Sequence, residues 1–242
     1  MATFVLVHGA WHGGWAYRDT AGLLRRLGHT VFSPTLTGSG ERAHLNDQTV
    51  TLETHIRDVL GTIEAEELTD VVLVGHSYSG IVITGVADRV PERIRSLVYV
   101  DAFVPGDGQS LNALIKLSLP PDAAAMFLKA FYDSARKDAC GMMSPIPAVL
   151  FGIEERNRGW VDRRCVAQSL ATFEMPVFLS GAHEKIARRT YILANGWDPS
   201  PYRYFARRCE GQPGWRVETV ESSHDVMIDH PDVLARLLVE AV

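Results

Sequence analysis

Val71-Val72-Leu73-Val74-Gly75-His76-Ser77-Tyr78-Ser79-Gly80 is the stretch that decides the fold. Four β-formers run into Gly-His-Ser, and the apolar pattern then turns helical through Ile81, Val82, Ile83 and Val86, which places Ser77 at a strand-to-helix junction. A nucleophile elbow holds its serine at such a junction. So sharp a turn forces the serine into a sparsely populated backbone region and presses its flanking residues against strand and helix, so small residues are needed two before and two after it. Gly75 meets the first need. Ser79 meets the second less fully, with Gly80 beside it as partial compensation. The bare pattern also occurs in ordinary loops, and its position behind a buried strand is what sets it apart.

Upstream, Phe4 to Val7 is a short, wholly apolar run, as expected of a strand covered on both faces. The turn after it, His8-Gly9-Ala10-Trp11-His12-Gly13-Gly14-Trp15, brings backbone N–H groups close to a ligand. It has neither Gly-x-Gly-x-x-Gly nor a Lys-Ser/Thr ending, so a nucleotide loop is disfavoured. Its alternative use is half of an oxyanion hole, the Ala10 N–H, with the Tyr78 N–H as the other half. His8 and His12 read as residues that hold this loop by hydrogen bonds rather than as catalytic or metal-binding groups. Tyr17 to Leu27 is a helix closed by Gly28, His29 to Ser33 a strand, Thr35 to Gln48 a loop, and Leu52 to Glu67 a helix with Ile56, Val59, Leu60 and Ile63 on one face.

Downstream, Ile94 to Val100 is another buried strand, ending at Asp101, and functional groups gather beyond the carboxyl ends of such strands. From about 106 to 186 the alternation stops. This proline-, methionine- and aromatic-bearing segment is expected to form a mostly helical cap over one α/β domain spanning 1–242, without independent standing as a domain. Its apolar side chains together imply a cavity, with Trp11, Phe103, Phe127, Phe131 and Trp160 as candidate lining. Strands at 189–194 and 215–220 follow, with a helix ending at Cys209 between them. His224 lies in the loop after the last strand, and Pro231 opens a closing helix.

A length of 242 residues allows one large α/β unit, and 46% hydrophobic with 22% charged residues is ordinary for a globular protein. A net charge of -5 without a basic cluster argues against a nucleic-acid partner. Cys140, Cys165 and Cys209 are odd in number and widely spaced, so neither a disulfide framework nor a zinc site is expected. The N-terminal residues lack a basic n-region and read as a first strand rather than a signal peptide, and no apolar run is long enough to span a bilayer. The expected location is cytoplasmic, away from membranes; oligomeric state is left open.

A serine hydroxyl needs a base within reach, and the base needs an orienting carboxylate. Ser77, then an Asp, then His224, each at a strand end, supplies that order. On Phe4–Ala10, His12–Trp15, Val74–Gly80, Ala102–Pro105 and His224 with Met227, the chain resembles the α/β-hydrolase superfamily. Within it, the resemblance is to the small esterases that include plant methyl-ester hydrolases, salicylate-binding esterases and hydroxynitrile lyases. The likeness implies a mostly parallel sheet with helices on both faces and a helical cap inserted after the strand that follows the elbow helix. It also implies Ser77 as nucleophile, His224 as general base and acid, Ala10 and Tyr78 as oxyanion donors, and no cofactor or metal.

The third triad member departs from the plant pattern, which puts Trp197 where the acid belongs, with Asp198 one position later. Other α/β-hydrolases, including those that resemble the zearalenone lactone hydrolases, use an acid where Asp101 stands. Asp101 is therefore favoured, with Asp198 as the alternative; Asp225 and Asp229 are too near His224 in sequence and read as solvated or structural. The lyases carry a hydroxyl residue where Gly9 stands and a lysine where Asp225 stands, so lyase chemistry is not expected. The expected activity is cleavage of a small hydrophobic ester or lactone through an acyl-enzyme. The rivals are another hydrolase-fold chemistry, such as C–C hydrolysis or polyketide cyclisation, and a non-catalytic small-ligand binding protein.

Overall fold

Apolar runs with no polar face can be buried only if both sides of a sheet are covered. The computed structural model describes residues 1–138 and 140–242. Its strands are β1 (Thr3–Val7), β2 (Thr30–Phe32), β3 (Val71–His76), β4 (Ile94–Val100), β5 (Met142–Met143), β6 (Gln168–Ser169), β7 (Arg188–Ala194) and β8 (Trp215–Val220). Six of them form one sheet in the order β2-β1-β3-β4-β7-β8, every neighbouring pair parallel. All six residues of β3 are buried. Its register sets Leu73 between Val5 and Leu97.

The helices are α1 (Arg18–Arg26), α2 (Leu52–Ala65), α3 (Ser79–Arg89), α4 (Leu111–Ser118), α5 (Pro121–Lys137), α6 (Glu155–Asp162), α7 (Ala171–Glu174), α8 (Tyr202–Cys209), α9 (Val226–Asp229) and α10 (Pro231–Glu240). α1 packs on α10, and α2 packs on α3. From β1 the chain steps outward to β2, returns to β3 and then runs the other way along the sheet, so the strand order reverses between β1 and β3. Ligands of open α/β sheets bind beyond the carboxyl ends of the strands at such a reversal. The Ala10 loop leaves β1 there, and Ser77 leaves β3 there.

Helices α4 to α7 and the antiparallel pair β5–β6 lie in the segment between β4 and β7. This is the inserted helical cap. Two residues per strand give no readable periodicity, so β5 and β6, like the single turn of α9, have no counterpart in the sequence-based expectation. The expected loop at 35–48 contains a short 3₁₀ segment, Gly40–Leu45. Among the described residues no helix is long and apolar enough to cross a membrane.

Candidate active site

β3 delivers Ser77 in the left-handed region, at φ 55°. Its N–H donates to Val100 O at 3.2 Å, and its carbonyl accepts from Gly80 N–H at 3.1 Å and Phe103 N–H at 3.2 Å. Strand and helix therefore hold an unfavourable φ from both sides. A Cβ at Gly75 would lie 2.6 Å from Ser79 O, and one at Gly80 would overlap the Phe103 carbonyl oxygen. The steric demand of the turn thus falls on Gly75 and Gly80. Ser79 is accommodated because its hydroxyl donates to His8 O. A Cβ at Gly9 would lie 2.7 Å from His76 Nδ1, which leaves no room for the hydroxyl residue of the lyases.

His224, buried in the loop after β8, donates from Nδ1 to Asp101 Oδ2 at 2.7 Å. Asp101 sits at the end of β4 with no exposed surface. Its Oδ1 accepts the Ala194 N–H at 3.1 Å and its Oδ2 accepts Trp197 Nε1–H at 3.0 Å. Burial pushes the Asp101 carboxyl well above the usual carboxylate range, while the Ala194 and Trp197 donors pull it back. With both oxygens occupied as acceptors, its surroundings suit a carboxylate rather than a carboxylic acid. Burial lowers the His224 imidazole to about 4, against the opposing pull of the Asp225 charge. Asp198 lies on the surface, paired with Arg203 Nη2 at 3.2 Å. The structure therefore brings Asp101, and not the alternative Asp198, to His224.

Ser77 Oγ lies 2.9 Å from Tyr202 Oη, its hydrogen-bond partner among the described residues. The Tyr202 ring stacks on the His224 ring, with centroids 4.9 Å apart and 7° between planes. Neither the Ala10 nor the Tyr78 backbone N–H donates to a protein acceptor among the described residues, and both residues line a cavity with Ser77. Trp11 keeps the Ala10 loop in place. It adopts φ 64°, donates its N–H to Gln168 Oε1 at 2.9 Å and its indole N–H to Met143 O at 3.2 Å, and accepts Val166 N–H at 2.9 Å. All three partners belong to the cap.

The cavity holds about 480 Å³ of unfilled space, its open mouth included, and its walls are almost wholly apolar. Trp11, Phe103, Phe127 and Phe131 line it, together with Phe151, Phe173, Trp197 and Tyr202. Trp160 does not. It packs edge-on against Trp15 at 5.0 Å with the Arg164 guanidinium 4.4 Å over its ring, beside a separate small cluster of Ala148, Ile153 and Val161.

Behind His224 lies a second buried pair, His12 Nε2 to Asp225 Oδ2 at 2.9 Å. His12 also donates from Nδ1 to Ala10 O at 2.7 Å, and His8 ties Gly9 O to the Leu36 N–H, so both hold the loop. Asp225 is structural rather than solvated. Asp229 likewise is buried and gathers Glu154 N–H, Asn157 Nδ2–H and the Ser223 hydroxyl. His76, His224 and Asp225 bring ligand-type atoms within 4.8 Å of one another. His76 spends its Nε2–H on the His224 carbonyl at 3.1 Å, and His224 spends its Nδ1–H on Asp101.

Residues 4–237 match the family model described as the alpha/beta hydrolase family. The chain belongs to that family. It is 61% identical over 238 residues to a carbendazim hydrolyzing esterase of Nocardioides sp. (strain SG-4G), covering 98% of each chain. It is also 29% identical over 257 residues to methylesterase 10 of Arabidopsis thaliana, covering 98% of this chain and 90% of the other. Among solved structures it superposes on an extracellular alpha/beta-hydrolase from a Paenibacillus species with TM-score 0.76 and 26% identity, covering 100% of this chain and 99% of the other. This hydrolase is a carboxylic ester hydrolase.

Tyr202 and Trp197 are the residues of this hydrolase's site that sequence reasoning missed. The signal for Trp197 was present, since the plant pattern puts it where an acid belongs. An indole donates but cannot accept, so it can serve a carboxylate that comes from another strand. Tyr202 carries no such signal, because its hydroxyl reaches Ser77 across 125 positions of chain.

Proposed function

We propose that this hydrolase cleaves a small hydrophobic ester or lactone through an acyl-enzyme on Ser77. His224 Nε2 takes the Ser77 proton as Oγ attacks the carbonyl carbon, and later gives it to the departing alcohol. Asp101 holds the imidazole by its Nδ1–H and stabilises the charge it gains. The N–H groups of Ala10 and Tyr78 receive the tetrahedral oxyanion. In the second half of the cycle water replaces the alcohol, and His224 acts as base again. The observation that carries the reading is the 2.7 Å His224–Asp101 bond beside a serine held at φ 55°. The apolar cavity supports a hydrophobic acyl or leaving group, and the name of the 61% identical relative makes carbendazim a first compound to assay. Three free cysteines support a reducing, cytoplasmic setting, which fractionation of the native cell would test.

The test is a panel of nitrophenyl esters of increasing chain length, with lactones and carbendazim, run on the wild type and on Ser77→Ala. Turnover should fall by about a millionfold in the variant, to the residual rate supplied by the oxyanion donors and binding. A variant that retains a tenth of the activity would remove Ser77 from the mechanism.

A further inference from the structure

Tyr202 is buried at the start of α8, its ring fixed between the His224 imidazole and the edge of Phe103, whose centroid is 4.9 Å away. The Tyr191 hydroxyl donates to Ala102 O at 2.7 Å and lies 3.2 Å from the Tyr202 carbonyl oxygen, placing this turn against the end of β4. The phenol thus points into the cavity from a rigid base, with the Ser77 hydroxyl as its hydrogen-bond partner among the described residues. Burial keeps it far above the ordinary phenol range, so it remains a neutral O–H donor.

Resting on the esterase reading, the next step follows from what Ser77 must do. When Oγ gives its proton to His224 and bonds to the carbonyl carbon it becomes an ester-type oxygen, a weaker acceptor, and the phenol that donated to it is left short of a partner inside an apolar cavity. A stranded buried donor is costly, and the cost is removed only by a substrate atom that accepts. The oxyanion is already served by Ala10 and Tyr78. His224 must reach the leaving oxygen to protonate it, so a hydroxyl on a ring stacked against that imidazole lies on the leaving-group side. We propose that Tyr202 is a further catalytic residue, donating a hydrogen bond to the departing oxygen of the substrate and so favouring esters with poor, alkoxide-type leaving groups. In acylation the Ser77 Oγ–C bond forms and the C–O bond to the leaving group breaks, its electron pair going to oxygen. The proton that His224 took from Ser77 goes to that oxygen, while Tyr202 keeps its own throughout.

Tyr202→Phe removes the donor and keeps the ring stack. The measurement is kcat/KM, which reports acylation, for the methyl and 4-nitrophenyl esters of one acid. A loss of roughly 10- to 100-fold is expected for the methyl ester, and a smaller loss, under roughly threefold, for the nitrophenyl ester, whose anion leaves without help. The ratio of the two losses is independent of how much variant folds. Equal losses on both esters, or a gain on both because Tyr202 only holds Ser77 idle, would overturn the proposal. Ser77→Ala run alongside separates the two ideas: if it abolishes both activities while Tyr202→Phe shows no leaving-group dependence, the esterase reading stands and the role of Tyr202 falls.

Discussion

At the scale of single residues, the site turns on which carboxylate faces the imidazole. Asp101 and Asp198 differ in surroundings more than in sequence position: one is sealed from solvent and receives three N–H donors, the other is exposed and paired with Arg203. Asp101→Asn should lower kcat by about ten-thousandfold, because an amide can donate to Nδ1 and select the wrong tautomer, whereas Asp198→Asn should change it less than about twofold. Steady-state kinetics on any cleaved nitrophenyl ester decides, and comparable losses in both variants would refute the assignment of Asp101. Ser77 and Asp101 are legible in the sequence because each follows a buried apolar run, and His224 because it is a histidine in the loop after the last strand. Trp160 misleads for the opposite reason. An aromatic residue in a cap looks the same whether it faces the cavity or, as here, a neighbouring tryptophan and arginine.

At the scale of elements, the elbow depends on α3 lying against the chain that leaves β4. Gly80 is where they meet, and a methyl group there would overlap the carbonyl of Phe103, the residue whose N–H donates to Ser77 O. Gly80→Ala should cost about 3 kcal/mol or more, since backbone must move to admit it. Gly61, exposed within α2 with nothing within 4 Å of its would-be Cβ, should behave oppositely, with Gly61→Ala stabilising by about 0.5–1 kcal/mol. Urea denaturation of both variants checks the pair, and destabilisation of similar size in each would contradict the packing described. The sheet strands and the longer helices of the main body are legible because uninterrupted apolar runs and helical spacing survive in one-dimensional sequence. Inside the cap, β5 and β6 are defined by each other across 25 or so residues, a pairing that no local pattern encodes.

Across the whole molecule, the centre holds several histidines that folding keeps neutral. Burial lowers His8 to about 3, His55 to about 4 and His224 to about 4. An unfolded histidine takes up its proton near pH 6.5, so between about 6.5 and 4 the unfolded chain binds protons that the folded one refuses, and stability falls as pH falls. His12 and Asp225 do not set this slope. His12 is raised: burial, the largest single influence, lowers it, but the Asp225 charge and the hydrogen bonds to Asp225 and Ala10 O together outweigh burial, so it is protonated in both states through that window; Asp225 is lowered by His12 against burial and is ionised in both states over most of it. The urea midpoint should be highest near neutrality and drop steeply from pH 6.5 to 4. A flat profile over that range would show that these imidazoles are protonated in the folded protein.

The central claim is that Ser77 Oγ is the atom acylated. Mass-spectrometric mapping after reaction with a fluorophosphonate tests it most directly: the account predicts one adduct, on the Ser77 peptide, lost in Ser77→Ala and slowed by orders of magnitude in His224→Ala. An active enzyme that carries the adduct on another residue, or labels at Ser77 equally fast without His224, would contradict it.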